Sequence, residues 1–327
     1  MSYKKLLCTI IVAIISGVTT TYLLIVNINI DNLNVVTAQG LNIKKYIGME
    51  KTEFKNCQGS NINIAIIDSG IAEHSDINFK KIIYFKDFTS NIDRAYDDNG
   101  HGTFVAGIIG ADGNIKGIAP KANLIILKVL DMFGNTDRDT LLSSLRWIYD
   151  NFQSYKIKVV NISIGVIPYL SYKDDSLCKL IKKINDKGIV IVCSAGNIED
   201  TNSVLSPGIS PDVITVGSCK NNRTYDIDDD VIASFSAHSE VFKSFIKPDL
   251  VTLGVDILSL DYRSKNAYIT HSGTSFSCAI VTGIAALLCE KYPSKSSEDI
   301  KKYIFINTVK LKHESEINQG NGEIFIK

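Results

Sequence analysis

The chain has 327 residues with 35 basic and 35 acidic side chains, so its formal net charge is zero. No basic excess is offered to a phosphate backbone, which sets nucleic-acid partners aside. A hydrophobic share of 45% against 21% charged residues is that of a globular chain with a sizeable core, enough for one large α/β domain or two ordinary ones. The seven cysteines (Cys8, Cys57, Cys178, Cys193, Cys219, Cys278 and Cys289) are odd in number, scattered, and form no CxxC pair. That pattern indicates neither a zinc site nor a disulfide scaffold, and buried, reduced thiols are expected.

At the N-terminus, Lys4 and Lys5 precede Leu6 to Val26, 21 residues without a charge. This is long enough to span a bilayer, and the basic flank orients the chain with its N-terminus inside and the remainder outside. A cleaved signal peptide is the competing reading. The apolar run is long for one, and no sharp A-x-A site follows, which favours an uncleaved anchor over residues 1–27. Residues 28–60 are Asn-rich and polar and read as a tether to a domain over residues 61–327.

The domain opens with Ile62 to Ile67, a β-branched run typical of a buried parallel strand, which ends in the turn Asp68-Ser69-Gly70-Ile71. The carboxyl ends of strands are where open α/β sheets keep their chemistry. His101 follows between two glycines in Asp97-Asp98-Asn99-Gly100-His101-Gly102-Thr103, at the start of an apolar helix, Val105 to Ile109. Leu124–Leu130 and Val159–Ile164 are further strands, and Thr140–Phe152 and Ser176–Lys187 have helical spacing, the second closed by Gly188. Ile189–Cys193 is a strand that runs into Ser194-Ala195-Gly196-Asn197; Val213–Gly217 and Ile257–Leu260 complete the strands. Residues 220–230 are charge-dense and read as a solvated loop. Gly273-Thr274-Ser275 stands before Ala279–Lys291, a buried helix for which Thr274, Ser275 and Ser277 are capping residues by type. A serine there lies beside unpaired N–H groups and the positive end of the helix dipole. Alternating strands and helices predict an α/β fold of three layers, a mostly parallel central sheet with helices on both faces.

Four polar residues therefore stand at strand ends or helix starts: Asp68, His101, Asn197 and Ser275. Acyl transfer needs these types, namely a hydroxyl nucleophile, an imidazole, a carboxylate that holds the imidazole, and an oxyanion donor. The strings Ile-Ile-Asp-Ser-Gly-Ile, Gly-His-Gly-Thr, Ser-Ala-Gly-Asn and Gly-Thr-Ser, in that order, closely resemble those of the subtilisin-like serine peptidases (subtilases) over roughly residues 45 to 327. Gln319–Ile324 resembles the glycine-rich strand that closes such domains.

The resemblance implies a serine endopeptidase without a cofactor. Ser275 would be the nucleophile, His101 the general base and then acid, Asp68 the group that orients the imidazole, and the Asn197 amide with the Ser275 N–H the oxyanion donors. It also implies that a peptide or protein substrate adds as a strand along Ser163, Ile164 and Gly165 on one side and Gly134 with its neighbours on the other, with Ser194, Ala195 and Gly196 as a pocket wall. Asp137, Arg138 and Asp139 beside that edge are either a charge preference or a solvated face. Cys278 and Phe104 depart from the family pattern, at positions where packing is the expected consequence. The segment Ile108 to Pro120 is too short for the family's calcium loop, so no metal is expected there. The 35 residues from 27 to 61 are too few for the family's folding-assistant propeptide. The expected whole is a monomeric single-pass membrane peptidase with its domain outside the cell, or a secreted one. The alternative is a catalytically silent, membrane-tethered peptide-binding module on the same scaffold. The order Asp, His, Ser and the lack of Gly-x-Ser-x-Gly around Ser275 disfavour an α/β-hydrolase.

Overall fold

The computed structural model describes residues 33–34, 42–198, 204–222, 224–241 and 245–326. The apolar stretch Leu6–Val26 lies outside these residues. Among the described residues the main sheet has ten strands, seven of them forming its continuous parallel centre: β1 (Asn63–Asp68), β2 (Ile82–Asp87), β3 (Asn123–Lys128), β4 (Ile157–Ile162), β5 (Val190–Ser194), β6 (Ile214–Lys220) and β7 (Leu250–Leu253), in the order β2-β3-β1-β4-β5-β6-β7. The helices used below are α1 (His101–Gly110), α2 (Arg138–Asn151), α3 (Ser176–Asn185), α4 (Thr274–Lys291) and α5 (Ser297–Ile306).

The alternation of side chains along each strand builds two cores. On one face Ile64 and Ile66 of β1, Ile126 of β3 and Val192 of β5 pack with Val105 and Ile108 of α1 and with Ile280 and Ile284 of α4. On the other face Ala65, Ile67, Ile125, Leu127 and Ile191 pack with Leu141 and Leu145 of α2 and Ile181 and Ile184 of α3. A sheet covered on both sides needs apolar residues at every position, which is why the strands read as unbroken hydrophobic runs. This is the expected three-layer arrangement. Helix α4 is apolar all round and buried from Thr274 to Leu288, so it is the core helix of the domain. Among the described residues it alone has the length and apolarity to cross a membrane, and its burial accounts for both.

Three expectations need correction. Ile257–Leu260 is not in the main sheet; it forms an antiparallel hairpin with Tyr268–His271. The strands Ile82–Asp87 and Leu250–Leu253 were not anticipated. Residues 42–58, assigned by their polarity to a tether, are folded onto the domain. Ile43, Tyr46, Ile47, Met49 and Phe54 are all at most 2% exposed, and the Ile47 carbonyl accepts from the Ile326 N–H at 2.8 Å. The polar residues between these anchors face solvent and mask the pattern. The last strand, Glu323–Ile324, runs parallel to β7, as the glycine-rich ending suggested.

Candidate active site

The chain reverses direction across the sheet at β1, which first sends connections to β2 and β3 and then crosses to β4. Ligands of open α/β sheets bind at the carboxyl ends of strands flanking such a switch point. Asp68 is the last residue of β1, and Ser163 immediately follows β4. His101 is the first residue of α1, behind Gly100 as N-cap.

The His101 Nδ1 lies 2.7 Å from Asp68 Oδ1. A carboxylate only accepts, so Nδ1 carries the proton and the neutral ring offers Nε2 as a base. Asp68 is 0% exposed; its Oδ1 also accepts from the Ser69 N–H at 2.7 Å, and Oδ2 is buried without a partner. Burial pushes the His101 pKa down, but the charge and hydrogen bond of Asp68, helped by Asp97, push it up further, and it ends above its ordinary value. Gly102 makes the approach sterically feasible: a Cβ there would lie 2.3 Å from the Gly70 carbonyl oxygen and 3.2 Å from Asp68 Oδ1.

Ser275 is the second residue of α4, whose N-cap is Gly273 rather than one of the hydroxyl residues named from sequence. Its hydroxyl donates to the Ser163 carbonyl at 2.8 Å, not to the imidazole. The adjacent Phe276 ring lies 5.7 Å from that of His101. Asn197 is oriented by Thr274, whose N–H and hydroxyl both donate to Asn197 Oδ1 at 2.9 Å. That assigns the oxygen to Thr274 and the NH₂ group to the other side, where Nδ2 stands 3.2 Å from where a Cβ on Gly273 would be.

The substrate-contact residues separate into two groups. Ser163, Ser194, Ala195 and Gly196 are buried at the carboxyl ends of the central strands β4 and β5, and Ile164 and Gly165 are half-buried. Val166 pairs with Ser206 through two 2.9 Å hydrogen bonds, so the segment after Gly165 already has a partner. Gly134 is in a tight turn, φ +80°, held by Asp131 Oδ1 accepting from Phe133 and Asn135 at 2.9 Å each. Residues 134–136 form no strand. Asp137 is spent as the N-cap of α2, and both Asp175 oxygens accept from Arg138 at 2.9 Å, so neither is a free charge beside the cleft. The Phe104 ring packs against that of Phe276 with centroids 4.4 Å apart and a 44° tilt, and Cys278 is fully buried with its thiol donating to Asn161 Oδ1 at 3.3 Å. Both departures from the family pattern are packing changes.

Three positioning residues escaped the sequence reading. Asp97 accepts from the Ser69 hydroxyl, from the Gly100 N–H and, through Oδ2, from the Thr103 N–H and hydroxyl, which fixes the start of α1. Lys128, 0% exposed at the end of β3, donates to the carbonyls of Ser69 and Leu130 and to Asp98 at 2.6–2.7 Å. Thr274 is the third. A charge closing an apolar strand, and an Asp shortly before a glycine-flanked helix start, were the available signals. Beside the imidazole is a cavity of ≈ 430 Å³ whose walls include Phe104, Leu260, Tyr262, Ile269, His271 and Phe276.

Comparison with known proteins gives the family and the fold. A family model described as the subtilase family matches residues 59–322. Serine protease AprX of Bacillus subtilis (strain 168) is 33% identical over 81% of this chain and 65% of its own length. Minor extracellular protease Epr of the same organism is 32% identical, but the match spans 36% of Epr. Subtilisin DY of Bacillus licheniformis is 30% identical over 78% of this chain and 86% of its own length. Among solved structures, sphericase superposes with a TM-score of 0.72 at 26% identity, over 87% of this chain and 97% of that one.

Proposed function

Because the chain belongs to the subtilase family, we propose that it is a serine endopeptidase whose nucleophile is Ser275 and whose base is His101. The observation that carries the reading is the 2.7 Å bond from His101 Nδ1 to Asp68 Oδ1, in a chain that the subtilase family model matches over residues 59–322 and that is 33% and 30% identical to two named proteases. Rotation about the Ser275 side chain moves its hydroxyl from the Ser163 carbonyl to His101 Nε2. The imidazole takes the proton as the oxygen attacks a peptide carbonyl, and Asp68 stabilises the imidazolium. The Asn197 amide and the Ser275 N–H at the mouth of α4 receive the oxyanion, and His101 returns the proton to the leaving amine.

The substrate is a peptide or unfolded protein segment laid along Ser163–Gly165, against Ser194, Ala195 and Gly196, with Gly134 at its far edge. The cavity beside His101 is lined both by apolar residues (Phe104, Leu260, Ile269) and by charged ones (Asp261, Arg263), and it is the space open to a substrate side chain next to the cleaved bond. Lys4, Lys5 and the uncharged run Leu6–Val26 support a membrane anchor with the peptidase on the outer side. Labelling with a fluorophosphonate probe tests the nucleophile: purified chain takes the label and Ser275→Ala does not. Undiminished labelling of Ser275→Ala overturns the assignment. Cleavage of a random peptide library then reads the side-chain preference, and membrane fractionation reads the anchor.

A further inference from the structure

Away from the cleft, three acids from distant parts of the chain meet inside the domain. Cys219 lies near the end of β6, Asp230 in the loop behind it, and Glu323 in the last strand, and their ligand atoms are all within 4.8 Å of one another. Cys219 and Glu323 are 0% exposed and Asp230 is 5% exposed. The Cys219 thiol donates to Glu323 Oε1 at 3.0 Å, while Glu323 Oε2 is buried with no hydrogen-bond partner. Asp230 is oriented from its other side: Asn221 Nδ2 donates to Oδ1 at 3.0 Å, and the Tyr46 hydroxyl donates to Oδ2.

The electrostatics are one-sided. The ionisable groups bearing on the two carboxyls are each other, Cys219, Tyr46 and Asp229, all acids. Three buried acids without a counter-charge are stable only if they retain protons or share a cation.

We propose that Cys219, Asp230 and Glu323 form a binding site for a divalent cation, with zinc the best match. One thiolate and two carboxylates suit a borderline-soft ion, whereas calcium and magnesium call for all-oxygen shells. Zinc bonds of about 2.0–2.3 Å require neighbouring ligand atoms roughly 3.5 Å apart, a closure within reach of carboxylate rotation. On binding, the thiol proton and the proton held by the carboxyls leave to solvent as the metal–sulfur and metal–oxygen bonds form. No electron is transferred, and affinity rises with pH. Asn221 and Tyr46 are the outer partners that aim Asp230. The ion would tie together the N-terminal segment carrying Tyr46, β6 and the last strand.

The test uses full-length Ser275→Ala chain, which cannot digest itself, stripped of metal and titrated with cobalt(II) and zinc chloride. The expected result is one equivalent of cobalt with a thiolate-to-cobalt charge-transfer band, displaced by zinc, and a zinc-dependent rise in melting temperature. Cys219→Ser loses the band and weakens zinc binding by at least about 100-fold, and Tyr46→Phe keeps the band but weakens binding about 10–100-fold. Should Cys219→Ser fail to fold, Glu323→Gln must show the same loss of affinity. The proposal is overturned by absence of stoichiometric uptake, by cobalt uptake without the thiolate band, or by equal uptake in wild type and ligand variants. It is also overturned if the chain takes no zinc and Glu323→Gln melts no lower, which would identify a shared proton instead.

Discussion

Ser275 and Ser163 hold each other reciprocally: the Ser275 hydroxyl donates to the Ser163 carbonyl at 2.8 Å, and the Ser163 hydroxyl donates to the Ser275 carbonyl at 3.1 Å. The residue after β4 therefore sets both the backbone and the resting side-chain position of the first turn of α4. Asn161, 0% exposed, joins this arrangement by donating to the Ser163 hydroxyl at 2.8 Å. Ser163→Ala strips that amide of its acceptor in a dry site and is expected to cost about 1–3 kcal/mol of folding free energy. Urea unfolding measures it; an unchanged midpoint would show that the link carries no stability.

The acid limb of activity should sit high. The proposed mechanism needs a neutral His101 as base, and its pKa lies above the ordinary 6.5 because Asp68 outweighs burial. Activity is lost as pH falls through that raised value. The same shift makes the charged His101 stabilise the fold most below pH 6.5, a contribution that disappears as pH rises past the folded pKa. Asp68→Asn removes the charge and should move the limb of kcat/KM to lower pH while cutting its plateau severely. A limb that stays put in Asp68→Asn contradicts the pairing.

In the proposed mechanism Asn197→Ala removes one oxyanion donor, and kcat is expected to fall about 10²–10³-fold with little change in KM. The Thr274 N–H and hydroxyl also lose their shared acceptor, so a modest fall in melting temperature should accompany it. Equal losses in kcat and affinity would point to a binding role instead.

Gly102→Ala tests the closeness of α1 to the turn after β1. The added methyl would fall 2.3 Å from the Gly70 carbonyl oxygen, so α1 must shift and carry His101 away from Asp68. Fluorophosphonate labelling should drop by orders of magnitude, together with a lower melting temperature. Wild-type labelling in this variant would mean that the contact is easily relieved.

Phe54→Ala separates a tether from a domain element. Phe54 is 2% exposed, edge-on to Tyr292 and Tyr303 with ring centroids at 6.1 and 5.8 Å. Truncation of a buried phenylalanine costs about 3–5 kcal/mol. A tether residue would cost nothing, and chemical denaturation distinguishes the two.

The strands and the catalytic strings were legible because they are local: unbroken β-branched runs, and polar residues at their ends. Residues 42–58 were hidden because their anchors are separated by Lys, Glu and Asn that face outward, so composition overrode pattern. Gly134 was expected in an edge strand, but that edge has no neighbour to pair with, and Asp131 draws it into a turn instead. The cluster of Cys219, Asp230 and Glu323 left no trace in spacing, since its members are brought together across more than 100 positions of sequence. Within 220–230, Ile227 and Asp230 turn inward, which charge density alone could not reveal.

Helix α4 carries Ser275 as its second residue and occupies the middle of the domain, and all seven strands β1 to β7 precede it in the chain. During synthesis Asp68 and His101 emerge long before Ser275, and the helix that carries Ser275 docks on one face of a sheet whose strands are already made. A chain built in this order can bring Asp68, His101 and Ser275 together only after every one of the strands β1 to β7 has been made.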